Sequence, residues 1–319
     1  WQATLGATFV AGVLFLALSL LGIREHIING LPSSLLNAIA CGIGLLIALV
    51  GLEWGGLIVA KPGTFVGLGD LASPTALLCL AGLLITSVLV VRRVPGAILA
   101  GILCTTALGL IGGLVQFHGF ISAPPSLGPT AFRLDLSGIF SFEMLVVVAV
   151  LLFLDVFDTV GTLVGVAPAA GLMKDGKLVG GRNALLADAT GTVVGSLVGT
   201  STITSYVESA TGIESGARTG LAAVVTGLLL LVTPLFYPLV QMVGGGIPVG
   251  ENVTLYPITA APLIIVGVMM MRPVTNIDWT DYGEAIPAFL TIIVMPLTVS
   301  ITDGIAFGLI SYSVLSVAR

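Results

Sequence analysis

The chain has 319 residues, 56% of them hydrophobic and 8% charged, with a mean hydropathy of +1.15 and a formal net charge of -5. Soluble domains carry about 25% charged residues, so this composition excludes an ordinary soluble domain, and the small negative balance gives no nucleic-acid partner. The three cysteines, Cys41, Cys79 and Cys104, lie in apolar runs without metal-ligand spacing and read as packing residues.

A membrane span needs about 20 mostly apolar residues. Along the chain, that length predicts helices over 3–22, 34–52, 75–92, 96–114, 143–167, 182–199, 219–243, 258–272, 284–300 and 303–317. The stretch 200–217 is too polar for a lipid-facing helix and too short for a domain. If it crosses the membrane, one side holds Arg24, Arg92, Arg93, Lys174, Lys177, Arg182, Arg218, Arg272 and Arg319, and the other holds Lys61 and Arg133, a split of nine to two. If it does not cross, Arg218, Arg272 and Arg319 change sides and the split becomes six to five. Lysine and arginine collect in cytoplasmic loops. The bias therefore predicts eleven crossings, with a cytoplasmic C-terminus.

The segment LGATFVAGVLFLALSLL (5–21) resembles GLAAVVTGLLLLVTPLF (220–236). Each is followed by a second span and then by a pair of spans with a tight connection. VPGAILAGIL (94–103) lies in the last span of the first set, and TDGIAFGLI (302–310) in the last span of the second. Residues 1–114 and 219–317 thus read as two copies of a four-span unit. By the charge split the first copy starts outside and the second inside, an inverted repeat of the kind transporters use. Three crossings within 143–217 precede the second copy. Symmetry predicts three further spans before Trp1, seven plus seven in all.

A charge at the centre of a membrane helix costs at least about 2.5–3.5 kcal/mol. In LLFLDVFDTVGTLVGVA (151–167), Asp155, Thr159 and Thr162 nevertheless share one helical face, with Asp158 on its flank. In ADATGTVVGSLVG (187–199), Asp188, Thr192 and Ser196 share a face among Gly191, Gly195 and Gly199, glycines that allow close helix packing. In TSTITSYVESATGIESG (200–216), Thr200, Thr202, Thr204, Tyr206 and Glu208 alternate with period two, and Thr and Tyr favour extended chain. A short strand leading into a half-helix fits this pattern. Unwound backbone is tolerated at membrane depth where it lines a cavity or is buried in protein, and transporters bind substrate at broken helices. Asp155 and Glu208 lie at membrane depth without a lysine or arginine in their spans and read as site residues. Asp158 and Asp188 read equally as site or structural groups. Glu214 and Arg218, four apart near a membrane end, read as an interfacial ion pair.

FLDVFDTVGTLVGVA, NALLADATGTVVGSLVGTSTITSYVESATGIESGARTGL and DWTDYGEAIPAFLTIIVMPLTVSITDGIAFGLISY look like the nucleobase–cation symporter family, and within it the azaguanine-resistance-like branch of purine permeases. The resemblance covers essentially the whole chain and is strongest from Leu151 to Leu221. It implies an all-α polytopic membrane fold of two inverted seven-span repeats. This chain would run from span four to span fourteen, about eleven spans, one of them a short strand plus half-helix. Span three, with its own strand, would be missing. The resemblance also implies a substrate-binding core domain, here 1–22 and 143–243, a gate domain, here 34–114 and 258–317, and a connecting loop, 115–142.

The implied activity is proton-coupled uptake of hypoxanthine, guanine or adenine through the cytoplasmic membrane. Asp155 falls on the family's span-eight acid and Glu208 on its span-ten acid, both hydrogen-bonding the purine. Thr159, Thr204, Ser205 and Tyr206 complete the expected substrate set, and Asp158 and Asp188 match acids of a coupling network. No cofactor or metal is implied, the proton gradient supplying the energy. The partners are the purine, protons and membrane lipid, and a homodimer is compatible with the family. The rival reading is a sulfate- or bicarbonate-type anion transporter of the same fold. Its site would want half-helix N-termini and a cationic residue, and the central acids argue against it. A channel would line its pore with rings of charge or carbonyls. An enzyme would need a nucleophile–base pair or metal cluster, which these spans lack.

Overall fold

The computed structural model describes residues 1–22, 32–61, 63–167, 170–174, 177–206, 209–250 and 253–318. In chain order the helices are α1 (Gln2–Leu20), α2 (Ser33–Trp54), α3 (Pro74–Val91), α4 (Ala97–Ile111), α5 (Phe142–Val166), α6 (Gly181–Val198), α7 (Ser209–Glu214), α8 (Gly220–Val232), α9 (Tyr237–Gly244), α10 (Pro257–Met269), α11 (Tyr282–Thr298) and α12 (Ile301–Ala318). Small antiparallel hairpins join some of them, such as Ile58–Lys61 with Phe65–Leu68 between α2 and α3.

Local chemistry sets the helix ends. Ser73 and Ser141 accept from the amides of Ala76 and Met144, each at 3.3 Å, at the starts of α3 and α5. Asp281 accepts from the Gly283 amide at 2.9 Å and starts α11. Gly199 ends α6 with φ 109°, a conformation other residues rarely adopt. The helix expected over 219–243 is divided in two. Pro234 has no N–H to donate and its ring crowds the preceding turn, so a 3-10 turn, Thr233–Phe236, separates α8 from α9.

Each of the ten predicted ranges is helical, with 219–243 divided as described. Among the described residues, seven stretches are long and apolar enough to cross a membrane: Gln2–Leu20, Ser33–Trp54, Pro74–Val91, Phe142–Leu163, Gly220–Gly244, Pro257–Asn276 and Ile301–Ala318. Ala97–Ile111 and Tyr282–Thr298 are apolar but shorter.

Packing divides the chain into two compact units. The first unit comprises residues 1–43, 126–209 and 273–319. Its core joins α1, α5 and α6 through Phe15, Val156, Val160, Leu185 and Ala189. Gly12 lets α1 close on α6: a Cβ there would lie 3.0 Å from Thr192 Cγ2. α11 and α12 pack as an antiparallel pair, with Gly304 and Gly308 pressed against Met295 and Thr291. Ser34 at the start of α2 donates to Glu284 at the start of α11.

The second unit comprises residues 44–125 and 210–272. There α3 and α4 meet through a reciprocal pair. Thr86 bonds back to the Gly82 carbonyl and Thr105 to the Gly101 carbonyl, each at 2.7 Å. Each threonine then packs on the other's glycine. This unit also holds a cavity of about 310 Å³ lined by Gln116, His118, Gln241 and Tyr256 among others. Among the described residues, none of the site residues predicted from sequence lines it.

Candidate functional site

The polar residues of α5 and α6 gather in the first unit. On α5, Asp155 is 3% exposed, Thr159 is fully buried and Thr162 is 2% exposed, so the face inferred from their spacing is an inward one. Asp158, on its flank, is half-buried. On α6, Asp188, Thr192 and Ser196 are all buried, as their common face requires. Neither 142–166 nor 183–217 contains a lysine or arginine. The segments that carry these acids therefore supply no cation of their own.

The two helices are cross-linked by these groups. Thr159 Oγ1 donates to Asp188 Oδ2 at 2.9 Å, within the buried layer. Thr159 thus serves a carboxylate of the chain itself, in addition to any contact with solute. Ser196 Oγ bonds to the Val193 carbonyl at 2.8 Å and stays within its own helix.

Beyond Gly199 the chain leaves the helix. Residues 200–206 form neither helix nor sheet, and α7 begins at Ser209. A continuous helix through 196–216 is thereby excluded, as the period-two pattern predicted. The strand character is only partly realised, because a ladder needs a second backbone edge and this segment is held by a side chain instead. Thr192 Oγ1 donates to the Ile203 carbonyl at 3.0 Å and accepts from the Ile203 amide at 3.1 Å. The neighbouring Thr204 hydrogen-bonds Asp158. Thr204 and Ser205 are half-buried and Tyr206 is 67% exposed.

The structure therefore brings together Asp158 with Thr204, and Thr159 with Asp188. Glu208 lies outside the described residues, as does the side chain of Glu214, so their expected partners are not placed. Arg218 donates to the carbonyls of Ile213 and Ala217 at 2.5 and 2.7 Å and so caps the end of α7. The role of Thr192 was not apparent from sequence. Its signal was present as a hydroxyl between Gly191 and Gly195, where another chain can approach closely.

An uncoiled segment at the end of a helix, bordered by buried acids and hydroxyls, is an arrangement that transporters use to bind solute. Residues 1–307 match the family model described as Permease family, and the chain belongs to that family. It is 46% identical over 322 residues to the guanine/hypoxanthine permease PbuG of Bacillus subtilis (strain 168), covering 100% of this chain and 71% of that protein. It is 40% identical over 318 residues to the adenine permease AdeP of Escherichia coli (strain K12), covering 99% of this chain and 69% of that protein. The transmembrane domain of the cyanobacterium bicarbonate transporter BicA superposes with a TM-score of 0.56 and 19% identity, over 98% of this chain and 75% of that one. At that identity the likeness establishes the fold alone. This is a multi-pass membrane permease, not an enzyme.

Proposed function

We propose that this protein takes up purine nucleobases, hypoxanthine and guanine or adenine, across the cytoplasmic membrane in symport with protons. The observation that carries the reading is the layer of acids and hydroxyls on α5 and α6, tied through Asp158 and Thr192 to the uncoiled segment 200–206. The relatives named as guanine/hypoxanthine and adenine permeases support the substrate class.

The chemistry matches a purine. Its ring offers N–H donors and unprotonated nitrogen acceptors. Ionised carboxylates only accept, so Asp155 and Glu208 would take the N–H edges. Hydroxyls both donate and accept, so Thr159, Thr204 and Ser205 suit the remaining edges, with Tyr206 beside them. Binding a proton turns a carboxylate from acceptor into donor. That change alters which purine contacts are favourable, and Asp158 and Asp188 would relay it. The proton gradient is the energy source, and no cofactor is needed.

In this reading the core, 1–22 and 143–243, moves against the gate, 34–114 and 258–317, across an inverted repeat of about eleven crossings. The nine-to-two split of lysine and arginine supports a cytoplasmic C-terminus. Lipid surrounds the protein, and the active assembly is proposed as a homodimer. The rival reading is a sulfate- or bicarbonate-type anion transporter of the same fold. It is the weaker one, because the polar layer is acidic and its segments carry no cation. Uptake of labelled hypoxanthine, adenine and sulfate into proteoliposomes under an inward proton gradient separates the two. Saturable purine uptake that collapses with the gradient is expected; sulfate uptake without purine uptake would overturn the proposal.

A further inference from the structure

We propose that Thr192 is a positioning residue, whose single hydroxyl replaces the missing rung of a sheet and sets the substrate-binding segment so that Thr204 meets Asp158. The inference rests on the purine-transport reading for its kinetic test only. Backbone groups at membrane depth must find partners within the protein. In a sheet, a neighbouring strand would satisfy both the amide and the carbonyl of Ile203. Here one fully buried hydroxyl oxygen does both, donating at 3.0 Å and accepting at 3.1 Å.

The bed for the segment is cut to match. A Cβ at Gly195 would lie 2.6 Å from Ile203 Cδ1 and 2.8 Å from Thr200 Cγ2, and one at Gly191 would lie 3.4 Å from Ile203 Cγ2. The segment therefore rests directly on the α6 backbone. The Thr192 methyl has a separate task, filling the gap at Gly12 of α1. Hydroxyl and methyl can thus be removed one at a time. Thr192→Val keeps the packing and loses both hydrogen bonds. Thr192→Ser keeps the hydrogen bonds and loses the packing.

Two measurements test this on the full-length protein. In hydrogen exchange, segment 200–206 exchanges at least about tenfold faster in Thr192→Val than in wild type, and Thr192→Ser stays at the wild-type rate. In labelled hypoxanthine uptake, Thr192→Val raises KM about tenfold with an unchanged amount of protein in the membrane, and Thr192→Ser retains the wild-type KM. Wild-type exchange in Thr192→Val overturns the inference, as does equal damage by Val and Ser. Should Thr192→Val fail to reach the membrane, Gly195→Ala replaces it, pushing the same segment off its bed. A wild-type KM in that variant overturns the inference equally. If wild type takes up no hypoxanthine, the transport reading fails, while the exchange measurement still decides the role of Thr192.

Discussion

Asp188 keeps a carboxylate 8% exposed inside a bundle, and Thr159 donates a hydrogen bond to it. A carboxylate removed from water loses its hydration and must be compensated by donors. A hydrogen bond to a charged group contributes about 1.5–3 kcal/mol. Thr159→Val is therefore expected to lower the thermal midpoint in detergent by that amount of stability, and Thr159→Ser to restore most of it. Equal midpoints for Val and wild type would mean that Asp188 is satisfied without Thr159. The buried face of Asp155, Thr159 and Thr162 was legible in the sequence, because helical periodicity states which residues point the same way. The partner of Thr159 was not. Periodicity is silent on which neighbouring helix a face meets and at what height. That register comes from Phe15, Val160 and Leu185 interlocking, a matter of shape rather than pattern.

At the scale of elements, the turn from α6 into the uncoiled segment is built on Gly199. Its φ of 109° disfavours any Cβ, and a Cβ there would also press on Thr130. Thr130 belongs to the stretch between α4 and α5, which the sequence presented only as a connecting loop. In the structure that stretch is stitched to helix ends. Thr130 Oγ1 donates to the Val198 carbonyl at 3.2 Å, the Phe132 amide to the Leu197 carbonyl at 2.7 Å, and the Asp135 amide to the Gln2 carbonyl at 3.0 Å. Backbone pairing of this kind leaves little trace in side-chain pattern, which is why the loop's role was hidden while the break after Gly199 was visible. Gly199→Ala is expected to cost about 1–2 kcal/mol from backbone conformation alone, read as a lower thermal midpoint and poorer uptake. Gly212→Ala, in α7 with only the Ala217 Cβ within 4.0 Å among the described residues, is the comparison and is expected to be neutral or stabilising. Equal behaviour of the two variants would show that the left-handed turn is not what holds the segment.

For the whole molecule, the question is which carboxylates answer to pH. Asp135 and Asp278 lie outside the spans, and hydrogen bonds hold both below the usual carboxylate range: Ser137 bonds Asp135, and the Thr280 hydroxyl and amide bond Asp278. A depressed folded-state value contributes stability that is present above the unfolded value, about 3.9 for aspartate. It is lost only as pH falls through the still lower folded value. Both loop anchors therefore stay ionised between about pH 5 and 8. Neither of these two anchors therefore contributes a pH dependence of uptake within that window. In proteoliposomes, hypoxanthine uptake is expected to rise as the outer pH is lowered from about 8 to about 5, and Asp135→Asn is expected to leave that profile unchanged. Asp155→Asn keeps the size of the side chain but removes both the charge and the titration. Loss of one charged hydrogen bond predicts roughly 10- to 150-fold weaker purine binding, and the remaining uptake should no longer follow pH. A flat profile in wild type would refute proton coupling. A normal profile in Asp155→Asn that vanishes in Asp188→Asn would move the coupling role from α5 to α6, where Thr159 already holds the second buried carboxylate.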